Sequence, residues 1–319
     1  MTVLASHDTL SGDIAPDYPL LLTGGVCLDD GRTIFVRTVI KTLNDKDVRH
    51  CVVLKYDGSG WQSFLINNGI TSQYASNVNG WTLHSLGYNG IIHVSSQDSE
   101  SEEIIDGSRF GPSKLRWMYD IKQIGGQLCA VGMSRMAYRQ DSSGTWNQLG
   151  RGAEVTDLVD IEACFRSIAG FSDDHLIAVG TKGEIWQCCN GVWQQMESPT
   201  NVILHGVLCC DDGTAYACGA AGVVLRLSNN SCTVVDNDET DDHLWGISWF
   251  KGSVFIAGSN AVYKIDDNRL RKVDMGIKPT TSYLYSSSNI LWSVGSSDIC
   301  WFDGSTWKQL FLPKFPARL

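Results

Sequence analysis

Apolar residues along this chain fall into short runs separated by polar turns, and no stretch follows the rhythm of a convincing helix. One phrase recurs: an apolar pair, a small residue, Val or a near equivalent, and usually Gly. Clear copies stand at Leu128–Gly132, Leu176–Gly180, Ala215–Gly219, Val254–Gly258 and Leu291–Gly295, with weaker copies at Ile34–Arg37 and Ile91–Ser95. Successive copies are 58, 37, 48, 39, 39 and 37 residues apart. This spacing predicts a tandem repeat about 40 residues long, built from short strands.

Each phrase is the second of four short runs that the pattern predicts to be β-strands. The run before it would be the innermost strand of its unit, and the predicted innermost strands are Trp81–Tyr88, Trp117–Ile124, Phe165–Phe171, Leu204–Cys210, Leu244–Phe250 and Thr281–Ser286. Turns rich in Gly, Asp, Asn and Ser lead to a third and a fourth run. Seven such units predict an all-β fold, a seven-bladed β-propeller of four-stranded antiparallel blades whose stacking supplies the core.

The repeat predicts one propeller domain over residues 18–319, preceded by an N-terminal tail of residues 1–17. The first and the last unit each contain four strands of their own. The ring must therefore close without a blade that combines strands from the two ends of the chain. Two closures are open: Thr2–Ala5 adds an outer strand, or side-chain packing suffices. An insertion, Thr38–Val48, and an acidic stretch, Gln97–Glu103, interrupt the pattern in the first two blades.

The composition narrows the classes of partner. The net charge of −10 argues against nucleic acid and anionic membranes as partners and leaves basic proteins. No apolar run approaches the roughly 20 residues of a membrane span, and the polar stretch Met1–Pro16 predicts no secretion signal. The eleven cysteines include no C-x-x-C pair and fall mostly within predicted strands. They predict free thiols and a cytoplasmic protein.

Four turns share a hairpin motif. Asp303–Trp307 reads D-G-S-T-W and Asp141–Trp146 reads D-S-S-G-T-W, while Asp57–Trp61 and Asn190–Trp193 are looser copies. The Asp or Asn oxygen can accept backbone N–H groups across such a turn, and the Trp packs beneath it. These turns resemble the Asp-box hairpins of the sialidase-like (BNR) propellers. The resemblance implies a propeller fold; it does not identify the arginine triad or the tyrosine nucleophile of a sialidase in this sequence.

Alignment of the predicted innermost strands places five large side chains at one position near the strand start. Each follows an apolar residue and precedes Ser, Asp or Gly, and the five are His84, Tyr119, Arg166, His205 and Trp245. They would surround the mouth of the central channel on one face of the ring. Because Trp, Tyr and Arg dominate the energetics of protein interfaces, the position predicts a partner-binding surface. The alternative is that these side chains wedge between blades or line a wet channel without a ligand.

The acidic run at the end of the fifth blade is a second candidate surface. It contains Asp236, Asp238, Glu239, Asp241 and Asp242, and irregular loops of repeat proteins often carry their contacts. The oxygen density of the run would also suit Ca²⁺, but the spacing is not that of an EF-hand loop. His84 and His205 come from separate blades, so no metal site is predicted, and no motif predicts a cofactor.

Since no catalytic motif stands out, we expect a non-catalytic protein-binding propeller. The sharper hypothesis is a cytoplasmic immunity protein that neutralises a basic toxin through the acidic run or the channel mouth. The alternative is a glycan-binding or glycoside-hydrolysing propeller, in which Tyr119 or Trp245 stacks on a sugar and Asp120 pairs with Glu162 or Asp160. Strand alternation predicts that Asp120 points away from its neighbour Tyr119, which weakens this alternative.

Overall fold

Consecutive strands form each sheet of the structure, a computed structural model that describes residues 19–106, 111–112, 117–153, 162–228 and 231–312. Blade 1 comprises β1 (Leu20–Cys27), β2 (Ile34–Ile40), β3 (Cys51–Tyr56) and β4 (Trp61–Ile66). Blade 2 comprises β5 (Ile70–Asn77), β6 (Trp81–Gly87), β7 (Ile91–Ser96) and β8 (Glu100–Ile104). Blade 3 comprises β9 (Met118–Ile124), β10 (Gln127–Gly132), β11 (Ala137–Gln140) and β12 (Trp146–Gln148).

The second half of the chain repeats this arrangement. Blade 4 comprises β13 (Phe165–Gly170), β14 (His175–Gly180), β15 (Ile185–Cys189) and β16 (Val192–Met196). Blade 5 comprises β17 (Leu204–Cys209), β18 (Ala215–Gly219), β19 (Val224–Ser228) and β20 (Ser231–Val234). Blade 6 comprises β21 (Gly246–Phe250), β22 (Ser253–Ala257), β23 (Val262–Asp266) and β24 (Arg269–Lys272). Blade 7 comprises β25 (Tyr283–Ser286), β26 (Leu291–Val294), β27 (Ile299–Phe302) and β28 (Trp307–Leu310).

The first strand of each blade contacts the first strands of the two neighbouring blades. These innermost strands, β1, β5, β9, β13, β17, β21 and β25, surround a central channel. All pairing within a blade is antiparallel and follows the order of the sequence. The predicted all-β, seven-bladed propeller is therefore confirmed.

The recurring phrase forms the second strand of its blade in all clear copies, where both faces of the sheet are covered. Its small residue is fully buried, as at Ala130, Ala178 and Ala217, because neighbouring sheets approach closely there. The Gly that ends the phrase meets the connection between blades. A Cβ at Gly180, for example, would overlap the backbone carbonyl of Cys164. The phrase therefore encodes the close packing of one blade on the next.

Blade 2 is the blade whose strands the pattern assigned wrongly. The run from Trp81, predicted to be innermost, is the second strand β6, and the phrase at Ile91–Ser95 belongs to the third strand β7. The innermost strand β5 reads I-T-S-Q-Y-A-S-N, and its polar residues leave no apolar run to detect. With Leu83–Gly87 as the second-strand phrase, the steps of 58 and 37 residues become 50 and 45. The acidic stretch contributes the exposed outer strand β8.

The ring closes between blades 1 and 7 without an exchange of strands. Ile34 and Leu54 of blade 1 pack in one buried cluster with Trp292 of blade 7. The backbone N–H of Leu22 also donates to the carbonyl of Ser296 at 3.0 Å. The described residues thus show closure by side-chain packing together with this backbone hydrogen bond. The other predicted closure, through Thr2–Ala5, lies outside the described residues, as does the tail 1–17.

The insertion in blade 1 lengthens β2 and then forms the single-turn helix α1 (Lys41–Asn44). None of the helices in the described residues has the length and apolar character that a membrane span requires. All eleven cysteines are free, as the sequence predicts.

The ring has two faces that differ in what they carry. The connection face holds the starts of the innermost strands, the connections between blades and the turns between second and third strands. The hairpin face holds the turns that join first to second strands and third to fourth strands.

Candidate binding site at the channel mouth

A bulge near the start of the innermost strand builds the channel mouth in five blades. The strand register shifts by one residue there, and the residue at each shift is Thr23, Thr71, Tyr119, Arg166 or His205. A bulged residue is unpaired in the ladder and its side chain is aimed out of the regular alternation. In blade 6, Trp245 holds the corresponding place, directly before the first paired residue of β21.

Four of the five side chains predicted at the channel mouth lie there. Tyr119, Arg166, His205 and Trp245 all line the central channel, a cavity of about 620 Å³. The predicted place of His84 is wrong: it sits on the second strand β6, where its ring lies 6.0 Å from that of Tyr74.

The blade 2 residue at the mouth is Thr71, which the sequence reasoning missed. The string Ile70-Thr71-Ser72 has the same apolar–variable–small pattern as the other blades. The signal was therefore present, but the side chain is small and its strand was not recognised.

The side chains at the mouth stack on one another. The guanidinium carbon of Arg166 lies 4.3 Å from the ring centroid of Tyr119. The rings of His205 and Trp245 are stacked at 4.3 Å, and His243 is stacked on Trp245 at 5.3 Å. We call Tyr119, Arg166, His205, His243 and Trp245 the aromatic arc. His243, which the sequence reasoning missed, lies in the connection before β21 and carries no motif.

Burial sets the charge of the aromatic arc. Burial, with the Arg166 charge and His243 adding to it, lowers the pKa of His205 to about 4. The imidazole of His205 is therefore neutral near pH 7, whereas the Arg166 guanidinium beside it is positively charged. Desolvation likewise raises the pKa of Tyr119, so its hydroxyl stays protonated and can donate a hydrogen bond.

A second cation–aromatic group extends the surface toward blade 1. The guanidinium carbon of Arg49 lies 5.4 Å from the ring centroid of Tyr88 and 5.5 Å from that of Trp117. Trp117 is 42% exposed and also lines the channel. Exposed and partly buried aromatic and Arg side chains thus lie over one face of the ring, a composition that is typical of protein-binding surfaces.

The channel lining includes one carboxylate, that of Asp120, whose hydrogen-bond partners lie within the chain. Asp120 accepts hydrogen bonds from the hydroxyls of Ser72 (2.9 Å) and Ser167 (2.8 Å) and lies 3.4 Å from the ammonium of Lys122. Asp120 lines the channel together with Tyr119, so the prediction that it points away is wrong. The bulge at Tyr119 breaks the alternation on which that prediction relied.

The carboxylate pair of the glycoside-hydrolysing alternative is not assembled in the described residues. Glu162 is exposed, forms an ion pair with Lys182 at 2.5 Å and is not part of the channel lining. The other named partner, Asp160, lies outside the described residues. Hydrolysis of a glycoside needs two carboxyl groups that flank the bond, and the described channel lining offers Asp120 alone.

The acidic run lies on the connection face, in the link between β20 and β21. Asp238 lies 3.7 Å from Arg269, and Asp236 and Glu239 lie 4.0 Å from Arg269 and Arg271 respectively. Two cations of β24 therefore offset part of the charge of its five carboxylates. Within the described part of the chain, no group of three or more His, Cys, Asp or Glu side chains is placed to hold a metal ion.

The hairpin face carries the turns that resemble Asp boxes. In the turn between β27 and β28, Asp303 accepts hydrogen bonds from the backbone N–H groups of Ser305 (2.7 Å) and Thr306 (2.9 Å). A hydrogen bond from the Ser305 hydroxyl, together with these backbone bonds, holds the pKa of Asp303 below its usual range. Asp57 and Asp141 accept equivalent bonds from the residue two positions on. The carboxylates of these turns accept hydrogen bonds from the backbone, as the sequence predicts.

Comparison with known proteins places the chain in a family. No protein-family model matches it. The chain is 30% identical over 299 residues, 91% of its length, to the immune protein Tsi7 of Pseudomonas aeruginosa, of which it covers 96%. Two solved propellers show the same fold at low identity. The WD40 propeller domain of Doa1 has a TM-score of 0.66 and 11% identity, over 89% of this chain and 93% of that one. YCF48 bound to D1 peptide has a TM-score of 0.61 and 14% identity, over 91% and 95% of the two chains. The chain therefore belongs to the family of the immune protein Tsi7.

Proposed function

We propose that this chain is a non-catalytic, cytoplasmic immunity protein that binds a toxin and neutralises it through the connection face. The relation to an immune protein over nearly the whole of both chains supports the general role. The aromatic arc around the channel is the observation that carries the choice of surface.

The composition of the arc supports its role as the interface. Interface hot spots are enriched in Trp, Tyr and Arg and lie near the centre of the contact. Tyr119, Arg166 and Trp245 surround the centre of the ring, where a partner seated on the disc would cover them. Arg166 already lies on the ring of Tyr119, and Trp245 is already stacked on His205 in the free protein, so little side-chain freedom is lost on binding.

The acidic run is the weaker of the two candidate surfaces. Arg269 and Arg271 lie beside three of its five carboxylates, so the field that the run projects is reduced. It borders the aromatic arc through His243, which directly follows Asp242. We assign it the rim of the interface, where charges alter association rates more than affinity.

Long-range charge supports a toxin that is basic overall. The chain carries a net charge of −10, and a field of one sign accelerates the approach of an oppositely charged partner. Neutralisation would then follow from a stoichiometric complex that covers the working surface of the toxin.

The test is protection of a living cell. The tagged chain is purified from its native cell, the protein that co-purifies in equal amounts is identified, and that protein is expressed alone and together with this chain. We expect growth arrest by the co-purifying protein alone and recovery with the wild-type chain. A co-purifying protein that is harmless alone, or toxicity that this chain does not relieve, would contradict the proposal.

A matched pair of variants tests the surface. Arg166→Ala combined with Trp245→Ala should lose protection, while Asp211→Asn combined with Asp212→Asn on the hairpin face should keep it. Equal protection by the two double variants, both folded and equally abundant, would exclude the connection face.

A further inference from the structure

The central channel is cationic although the chain as a whole is acidic. Its described lining includes the cations Arg37, Lys122 and Arg166 but a single carboxylate, Asp120. The net charge of the lining is therefore positive, in a chain whose net charge is −10. An excess of cations in an enclosed space favours an anionic occupant.

Arg37 is the most unusual of these cations. It belongs to the second strand β2, yet its guanidinium reaches the channel because Gly24 on the innermost strand leaves room: a Cβ there would overlap its Nη2 atom. The side chain is 5% exposed; Nη2 donates to the carbonyl of Thr23 at 3.0 Å and Nη1 to the carbonyl of Ile70 at 3.5 Å. Its Nε has no hydrogen-bond partner, and no carboxylate of the described residues lies within ion-pair distance of it. A buried cation without a counter-charge is costly.

A second buried polar group in the same lining is incompletely bonded. Gln73 on β5 is 6% exposed, its amide nitrogen donates to the hydroxyl of Ser85 at 2.9 Å, and its amide oxygen has no partner. If the amide turns over, the Ser85 hydroxyl donates to the oxygen and the NH₂ group becomes a buried donor without a partner. Arg37 and Gln73 are thus two buried groups of the channel lining whose polar atoms are incompletely bonded.

The internal carboxylate does not fill this place. Asp120 is held by Ser72, Ser167 and Lys122 on the side of blades 2 to 4. Arg37 lies by contrast beside Tyr285, whose hydroxyl accepts the Gly25 N–H at 2.8 Å and keeps its own proton to donate. Burial raises the pKa of Tyr285 far above its usual range, so that proton stays in place.

We propose that the channel binds a carboxylate carried by an acidic side chain of the protein partner, an inference that rests on the proposed function. A guanidinium matches a carboxylate by paired N–H donors. The cavity of about 620 Å³ opens at the aromatic arc, so a side chain of a partner seated on the connection face can enter it. A toxin that is basic overall thus inserts one acidic side chain, which Arg37 recognises in the positive field to which Lys122 and Arg166 also contribute.

A peptide library displayed on phage tests the inference even before the partner is identified. Random heptapeptides are selected in parallel on the full-length wild-type chain, on Arg37→Met and on Lys122→Met. We expect Asp and Glu to be enriched several-fold among peptides selected on the wild type, and this enrichment to disappear on both variants. Selection of basic or uncharged peptides, of no peptides at all, or of acidic peptides on every variant would overturn the inference.

Two controls keep the result interpretable. Arg226→Met and Lys264→Met remove the same charges from third strands outside the channel lining, and both should select acidic peptides as the wild type does. Thermal unfolding shows whether Arg37→Met and Lys122→Met are folded. If either is not, Arg37→Lys replaces it, and the acidic enrichment should then be reduced because a single ammonium cannot form paired bonds.

A further experiment distinguishes the carboxylate of a peptide side chain from that of a small dicarboxylate. Unfolding of the wild type is followed with a selected acidic peptide, with its Asn or Gln counterpart, with glutarate and with glutaramide at equal ionic strength. We expect only the acidic peptide to raise Tm strongly. If glutarate is as effective, a small dicarboxylate is the ligand and the inference is wrong. A wild-type chain that protects cells but shows no acidic preference refutes this inference alone, whereas a failure to protect refutes the proposed function.

Discussion

The hairpin face and the connection face use their charged side chains for different purposes. The described turns of the hairpin face carry eleven carboxylates and two cations, Arg32 and Lys251, which gives a net charge of −9. The carboxylates are Asp29, Asp30, Asp57, Asp98, Asp141, Asp173, Asp174, Asp211, Asp212, Asp267 and Asp303. Several of them accept backbone N–H groups of their own turns, as Asp30 does from Arg32 and Thr33. Carboxylates on this face therefore stabilise their own hairpin turns.

The connection face carries charges of both signs, several of which are paired with one another, but two cations at the channel, Arg37 and Arg166, have no carboxylate partner among the described residues. Arg166 lies on the ring of Tyr119, and the buried Arg37 keeps its Nε unpaired. Polar side chains that stabilise the fold form their hydrogen bonds within the chain, whereas polar side chains that bind a partner keep donors or acceptors free for it. This difference is the reason for proposing the connection face as the binding surface.

The largest effect that would separate the two faces is on affinity. Arg166→Ala with Trp245→Ala removes two predicted hot spots, each worth about 2 kcal/mol, and should weaken partner binding about 1,000-fold. Asp211→Asn with Asp212→Asn should change it by less than about 10-fold, since rim or remote charges act mainly on rate. Titration calorimetry with the purified partner measures both. Similar losses of affinity for the two double variants would contradict the proposed difference between the two faces.

Replacement of glycine by alanine should reduce the free energy of unfolding more at the channel than in a hairpin turn. Gly24 has a φ of +131° and no room for a Cβ beside Arg37, so Gly24→Ala should cost about 3 kcal/mol of unfolding free energy. Gly60 lies in a turn of the hairpin face, where an added Cβ would meet no atom within 4 Å. Gly60→Ala should therefore stay within about 0.5 kcal/mol of the wild type. Urea denaturation compares them, and an equal cost at both positions would mean that Arg37 does not depend on Gly24.

The two faces should also respond to acid in different pH ranges. The pKa of His205 is lowered to about 4 in the fold, against about 6.5 in the unfolded chain. Only the unfolded chain takes up this proton between those values, so the stability that neutral His205 provides is full above pH 6.5 and is lost as the pH falls to 4. The loss should be roughly 1–2 kcal/mol, because the ring is partly exposed and solvent screens the shift.

The control for this prediction is His205→Gln, which lacks the titration. The difference in unfolding free energy between variant and wild type should change across pH 6.5 to 4 and be constant below pH 4. Hydrogen bonds lower the pKa of Asp30 and Asp57 on the hairpin face, so their contribution is lost only below about pH 4. A difference that is flat with pH would mean that His205 is not buried as described.

The smallest expected effect concerns the rim. Asp241→Asn with Asp242→Asn removes two exposed carboxylates that have no ion pair within the described residues. The association rate should fall about two- to threefold, and its dependence on salt should weaken, while the dissociation rate stays the same. Stopped-flow mixing at two ionic strengths measures this. A change in dissociation rate instead would place these carboxylates inside the contact.

The sequence predicts the fold well because burial of the second strands repeats the same phrase in every clear copy. It fails in blade 2 because the innermost strand faces the channel with polar residues, and a strand such as Ile70–Asn77 then lacks an apolar signature. His84 was misplaced for that reason, and Thr71 was missed.

The cationic interior of the channel could not be predicted from local patterns. Arg37 belongs to a buried second strand, and it reaches the channel because Gly24 on a different strand lets it pass. Asp120 joins it in the lining because of a bulge that alternation does not foresee. Both facts depend on register between strands, which single-sequence patterns do not specify.

Site-specific photo-crosslinking tests most directly whether the partner sits on the connection face. Benzoylphenylalanine replaces Trp117, which is exposed at the channel mouth, or Asp211, which is exposed on the hairpin face. After irradiation of the complex with the co-purified partner, we expect a covalent adduct from position 117 and none from position 211. An adduct from position 211 alone would contradict the account.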